Sequence, residues 1–191
     1  MKLLENRILA DGKVFPGDIL KVDSFLNHQI DPILIKQMGE EFASHFKGKE
    51  ITKVLTIETS GIAMALTTAF ELGVPMVFAK KIKGGNASNQ VYSAKVFSYT
   101  KKIESTITVD QHYLTKEDKV LIVDDFLAVG EALSGLIQLC NQAQAEVVGV
   151  GIGVEKVFQG GGNKIREKGY DLYSLAKIAR FENGTVIFEK E

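Results

Sequence analysis

The sequence predicts an α/β fold, a central parallel sheet flanked by helices, and two observations carry that prediction. Short apolar runs alternate with longer segments of helical period, and two of the runs lead through small or acidic residues straight into a helix. Strands that alternate with helices require crossovers, and crossovers lay neighbouring strands parallel. At 191 residues, with 45% hydrophobic and 25% charged residues, the chain has the size and composition of a single domain, 1–191.

The first clear helix opens at Asp31-Pro32. Asp is placed to cap it, Pro stands at the first helical position, and Ile35, Met38, Phe42 and Phe46 recur at three- and four-residue intervals until Gly48. Residues 53–57 read as a buried strand, 61–72 as a helix closed by Gly73, and 74–79 as the next strand, which completes a βαβ unit. The polar, Gly-rich stretch 83–90 reads as a mobile loop, with 91–100 and 103–109 forming an antiparallel hairpin or flap behind it. A second βαβ unit follows, with a strand at 119–123, a helix at 129–143 and a strand at 147–154. Near the end, Asn183-Gly184 between apolar residues signals a two-residue hairpin.

Charge and composition narrow the function. Lys plus Arg is 23 against Asp plus Glu 24, so no overall basic field is available to hold nucleic acid. About 30 residues precede the first clear helix, too few for a winged-helix module, which argues against a DNA-binding regulator. The longest apolar runs fall well short of the roughly 20 residues a membrane-spanning helix needs. No apolar stretch follows the N-terminus to make a signal peptide, and a cytoplasmic protein is expected. Cys140 is the single cysteine and reads as a small buried residue on a helix face. His28, His45 and His112 have no metal-ligand spacing, and no protein metal site is expected.

The stretch 120–132, Val-Leu-Ile-Val-Asp-Asp-Phe-Leu-Ala-Val-Gly-Glu-Ala, carries the chemistry. An apolar strand ends in two adjacent carboxylates, and a short loop of small residues opens a helix. Backbone N–H groups at a helix start suit a phosphate, and paired acids suit sugar hydroxyls. The stretch is neither a Walker loop nor a dinucleotide fingerprint, since it lacks Gly-Lys-Ser/Thr and three spaced glycines. Thr59, Ser60 and Gly61 form a second turn at a strand's carboxyl end, and Lys80 and Lys81 end the strand beyond it.

In these motifs the chain resembles the type I phosphoribosyltransferases, whose signature is a hydrophobic strand, two acidic residues and a small-residue loop opening a helix. The likeness runs along nearly the whole chain, and segments 20–32 and 152–158 resemble bacterial purine members that act on xanthine. The resemblance implies that Asp124 and Asp125 are the catalytic acids on the ribose. It implies that Ala128, Val129, Gly130, Glu131 and Ala132 bind the 5-phosphate of phosphoribosyl pyrophosphate. Thr59, Ser60 and Gly61 would bind the pyrophosphate, which Lys80 and Lys81 would neutralise. Most members carry Thr and Gly where this chain has Ala128 and Val129, so hydroxyl contacts to the phosphate are lost and the amides remain.

Leu20, Asn27, Lys156 and Phe158 would form the base pocket, within a small hood built from about residues 1–30 and the C-terminal segment. Xanthine shows carbonyl oxygens at positions 2 and 6, which suit the donors of Asn27 and Lys156, while Leu20 and Phe158 would sandwich the ring. The same resemblance implies Mg²⁺ held mainly through the substrate, a loop from 83 to 99 closing over the reacting sugar, and a homodimer.

Overall fold

The structure is a computed structural model that describes residues 1–82, 90–98 and 103–190. Residues 83–89 of the loop expected at 83–90 lie outside the described residues, so the cover expected over 83–99 is described only in part.

Helices form where the caps predict. Asp31 accepts from the N–H groups of Ile33 and Leu34 at 3.0 and 3.1 Å, Pro32 starts α2 (Pro32–His45), and Leu34, Ile35, Met38 and Phe42 turn into the core. Helix α3 (Gly61–Leu72) ends at Gly73, whose φ of 68° is the left-handed cap that glycine adopts without strain. One helix was not anticipated: α1 (Lys2–Asp11) precedes α2, so the N-terminal 30 residues are not helix-free. Its apolar positions are sparse, and only Leu4 and Ile8 are buried, which left the periodicity too weak to read. A two-stranded hairpin, β1 (Lys13–Phe15) and β2 (Ile19–Lys21), follows, and then a short π-helical turn at Asp23–Asn27.

The central sheet uses β3 (Lys53–Ile57), β4 (Met76–Ile82), β5 (Val91–Ser98), β6 (Ile103–Asp110), β7 (Lys119–Leu127), β8 (Glu146–Lys156), β9 (Leu172–Glu182) and β10 (Thr185–Phe188), in the order β10-β9-β8-β7-β3-β4-β6-β5. Strands β4, β3, β7, β8 and β9 run parallel, and antiparallel pairs close both ends. The flap hairpin β5–β6 and the Asn183-Gly184 turn stand as predicted. Both turn residues have positive φ, 49° and 76°, which matches the twist of the strands they join.

Strand β4 runs from 76 to 82 where 74–79 was expected and β8 from 146 to 156 where 147–154 was, and two further boundaries bear on the acid pair. Strand β7 continues four residues past Val123, because Asp124, Phe126 and Leu127 stay in register with Ile152, Val154 and Glu155 of the still longer β8. The acid pair is therefore held inside the ladder instead of hanging beyond it. Helix α4 (Glu131–Ala143) starts two residues later than predicted, since Gly130 takes φ 93° and no side chain caps the first turn. Helix α5 (Gly161–Glu167), preceded by a short 3₁₀ turn at Val157–Gln159, was not anticipated either.

Each face of the sheet has its own core. Leu121 and Val123 pack with α1, α2 and α3 on one side. Ile122 and Leu55 pack with Leu133, Leu136 and Cys140 of α4 and with the flap on the other. Cys140 is fully buried, and burial pushes its thiol up to about 12, an inert group as expected. His45 stacks on Tyr173 at 3.8 Å and His112 contacts Asp110 at 2.8 Å, both away from the acid pair.

Candidate active site

A cleft of about 930 Å³ opens at the carboxyl ends of β3 and β7, where ligands of open α/β sheets bind. Its walls include Glu58, Thr59, Ser60, Lys81, Asp124, Asp125, Phe126 and Ala132, and the flap adds Val96, Phe97 and Ser105. Residues from both βαβ units and from the flap thus meet at one place.

Asp124 is 3% exposed, and its Oδ1 accepts the N–H of Asp125 at 3.0 Å. Burial holds both carboxyls above the usual range, the negative charge of Asp125 adds to this at Asp124, and Lys81 opposes it. The two titrate as a unit. Such a pair is poised to accept hydrogen bonds from hydroxyls, and to stabilise positive charge once it is ionised.

The turn before α3 is tightly fitted. The Glu58–Thr59 peptide is cis, and a Cβ on Gly61 would stand 2.2 Å from Thr56 Oγ1 and 3.1 Å from Asp124 Oδ1. Gly61 is thus required by close packing against the acid pair, a reason the sequence did not disclose. The Lys81 N–H donates to Glu58 Oε1 at 2.6 Å, tying β4 to this turn. Of the two lysines, Lys81 lines the cleft, whereas Lys80 lies along the Phe78 ring at 6.0 Å, as alternation along a strand dictates. The structure therefore separates a pair that the sequence reading had treated alike.

Ala128, Val129 and Gly130 lie between β7 and α4, which Glu131 opens. Val129 and Gly130 border a smaller cavity of about 230 Å³ shared with Lys164 and Lys168, while Ala132 faces the main cleft. The fit here is close: a Cβ on Gly161 would meet the Ala128 carbonyl at 2.2 Å.

Beside Phe126 lies a second cluster. Lys156 Nζ donates to the carbonyl of Asp18 at 2.6 Å and rests near the rings of Phe126 and Phe181 at 5.8 and 5.9 Å. Burial lowers the Lys156 pKa, and the charge of Asp18 partly restores it. Phe158 meets Phe181 edge-on at 5.6 Å. Lys156 and Phe158 are thereby assembled with the β1–β2 turn. Leu20 is 7% exposed, and its Cδ1 would stand 3.2 Å from a Cβ on Gly12. Asn27 ends the π-helical turn with its side-chain oxygen buried and unpartnered. Phe126, Phe181 and Asp18 escaped the sequence reading. Phe126 could have been noticed beside the acids, but nothing local marks the other two.

Lys156 is steadied from behind. Glu155 is fully buried and takes both Arg166 guanidinium nitrogens, at 2.8 and 2.7 Å, and the Ser174 hydroxyl at 2.5 Å. Burial alone would raise the Glu155 carboxyl, but the hydrogen bonds from Arg166 and Ser174 outweigh it and hold the carboxyl below its ordinary value.

Fold and cleft together define a class, the open α/β proteins that carry a ligand cleft at the carboxyl ends of their parallel strands. Within that class the chain belongs to the phosphoribosyl transferase family, whose domain, described as "Phosphoribosyl transferase domain", matches residues 22–180. It is 53% identical over 191 residues to a xanthine phosphoribosyltransferase of Lactobacillus gasseri, with 100% of both chains covered. It is 55% identical over 188 residues to one from Lactobacillus delbrueckii subsp. bulgaricus, covering 98% of this chain and 100% of that one. Among solved structures, the Giardia lamblia APRTase complexed with 9-deazaadenine superposes with a TM-score of 0.73 at 26% identity, over 88% of this chain and 93% of that one. The adenine phosphoribosyltransferase of Rhodothermus marinus superposes with a TM-score of 0.74 at 23% identity, over 93% of this chain and 100% of that one, a likeness of fold.

Proposed function

We propose that this protein transfers the 5-phosphoribosyl group of phosphoribosyl pyrophosphate to xanthine, giving xanthosine 5'-monophosphate and pyrophosphate in purine salvage. The observation that carries the reading is the buried acid pair, Asp124 and Asp125, in a cleft that the Thr59–Ser60 turn also lines. Full-length relatives at 53–55% identity bear the name of that activity.

In this reading the purine nitrogen attacks C1 of the ribose. The new C1–N bond forms as the C1–O bond breaks, and the electron pair leaves with pyrophosphate. Asp124 and Asp125 accept hydrogen bonds from the ribose hydroxyls and stabilise the positive charge on the sugar. Amides of Thr59, Ser60 and Gly61 receive the leaving group, whose charge Lys81 offsets. Amides of 128–132 hold the 5-phosphate at the start of α4. Lys156 and Asn27 donate to the base oxygens, and Lys156 favours the base in its ionised form.

Among the described residues no group of three or more His, Cys, Asp or Glu could hold a metal. Two carboxyls alone make an incomplete oxygen shell for Mg²⁺, which fits an ion carried on the substrate's own oxygens. When bound, that ion supplies positive charge beside the departing pyrophosphate. Among the described residues no helix is long and apolar enough to cross a membrane. The proposal includes a cytoplasmic setting and a homodimer.

Isothermal titration with xanthine, guanine, hypoxanthine and adenine, each in the presence of phosphoribosyl pyrophosphate, tests the base assignment. Xanthine is expected to bind tightest and to release pyrophosphate fastest. A preference for adenine would overturn it, since adenine presents a donor where xanthine presents an acceptor.

A further inference from the structure

Thr56 is fully buried at the end of β3, and its hydroxyl oxygen has no hydrogen-bond partner. Buried hydroxyls are nearly always satisfied, so an orphan beside a reactive group calls for a reason. The geometry around Gly61 supplies one. Thr56 Oγ1 and Asp124 Oδ1 both lie within 3.1 Å of the single point where a Gly61 side chain would begin. Among the described residues the buried Asp124 carboxyl accepts the N–H of Asp125, and a buried carboxylate needs more than one donor to hold its charge.

We propose that Thr56 is a positioning residue for the transfer: its hydroxyl, unpaired among the described residues, turns to donate to the Asp124 carboxylate when the ribose engages that acid, and fixes the orientation in which the acid meets the sugar. Gly61 is part of the same device, because any side chain there would collide with the Thr56 hydroxyl. The proposal deepens the reading of the acid pair given above and rests on it.

Thr56→Val keeps the shape and removes the hydroxyl. Replacing an unpaired buried hydroxyl by a methyl group is close to neutral for stability, so a merely structural Thr56 would leave both folding and kinetics alone. The expected result is a loss of roughly 10-fold in kcat/KM for phosphoribosyl pyrophosphate, with the KM for xanthine and the melting temperature unchanged and with Thr56→Ser restoring the rate. In an Asp124→Ala background, which removes the acceptor oxygens, the Thr56→Val change should have no further effect. Parental kinetics in Thr56→Val, no rescue by Thr56→Ser, or an undiminished effect beside Asp124→Ala would each overturn the proposal. Asp125→Asn separates the two levels of inference. If Asp125→Asn is severely impaired while Thr56→Val is not, only the role of Thr56 fails; if Asp125→Asn turns over normally, the reading of the acid pair itself fails.

Discussion

Asp124 and Asp125 sit side by side with burial raising both carboxyls. The folded pair holds protons more tightly than the unfolded chain does. Its contribution to stability is therefore complete below the unfolded carboxyl value and is lost as pH rises through the folded one. Asp124→Asn keeps the acceptor for the Asp125 N–H and removes the charge. It should melt higher than the parent near pH 8, by about 2–4 °C for each ~1 kcal/mol recovered, with the gap closing toward about pH 4. A scan of melting temperature against pH measures this, and an unchanged gap would contradict it. Lys156→Ala should raise the KM for xanthine more than that for phosphoribosyl pyrophosphate in steady-state kinetics, and equal shifts would remove Lys156 from the base pocket. The acids and Lys156 were legible because their neighbours in sequence share the motif. Phe181 was not, since it reaches Phe158 only through the return of β9 alongside β8.

Strands and helices with strong local signals came through. The cap at Asp31-Pro32, the Gly73 stop and the Asn183-Gly184 turn each state their geometry within a few residues. The ends of β7 and β8 did not, because two long strands that pair with each other extend together, and neither end is marked alone. Helix α5 is short and opens with glycines, so it shows no apolar period, yet tertiary contacts account for it. A Cβ on Gly162 would stand 1.8 Å from Glu155 Oε1, so the helix fits against the buried carboxylate only with glycine there. Arg166→Met should leave Glu155 charged and unpaired in the core and cost about 3–5 kcal/mol in urea unfolding. A loss below ~1 kcal/mol would mean that α5 is held by packing alone.

At the scale of the whole molecule, an apolar patch on α3 stands exposed among the described residues. Phe70 is 80% and Leu66 57% exposed, one turn apart on α3. The adjoining residues Met76, Val77 and Phe78 pair with β3 on one side, while β6 meets β4 only from Lys80 to Ile82. A half-open strand edge beside an apolar helix face is a surface a second copy can use symmetrically. Phe70→Glu should turn the proposed homodimer into a monomer at micromolar concentration in sedimentation velocity, and a dimer that survives the change must use another face. The floor of the cleft is made of strand ends, but the Lys156 cluster is completed by a hairpin that belongs to neither βαβ unit, through the Asp18 carbonyl. Hairpin and sheet are therefore separable parts: the segment that completes the Lys156 cluster can change its length or sequence while the strand ends beneath keep their places, and the Giardia lamblia structure superposes on this fold at 26% identity.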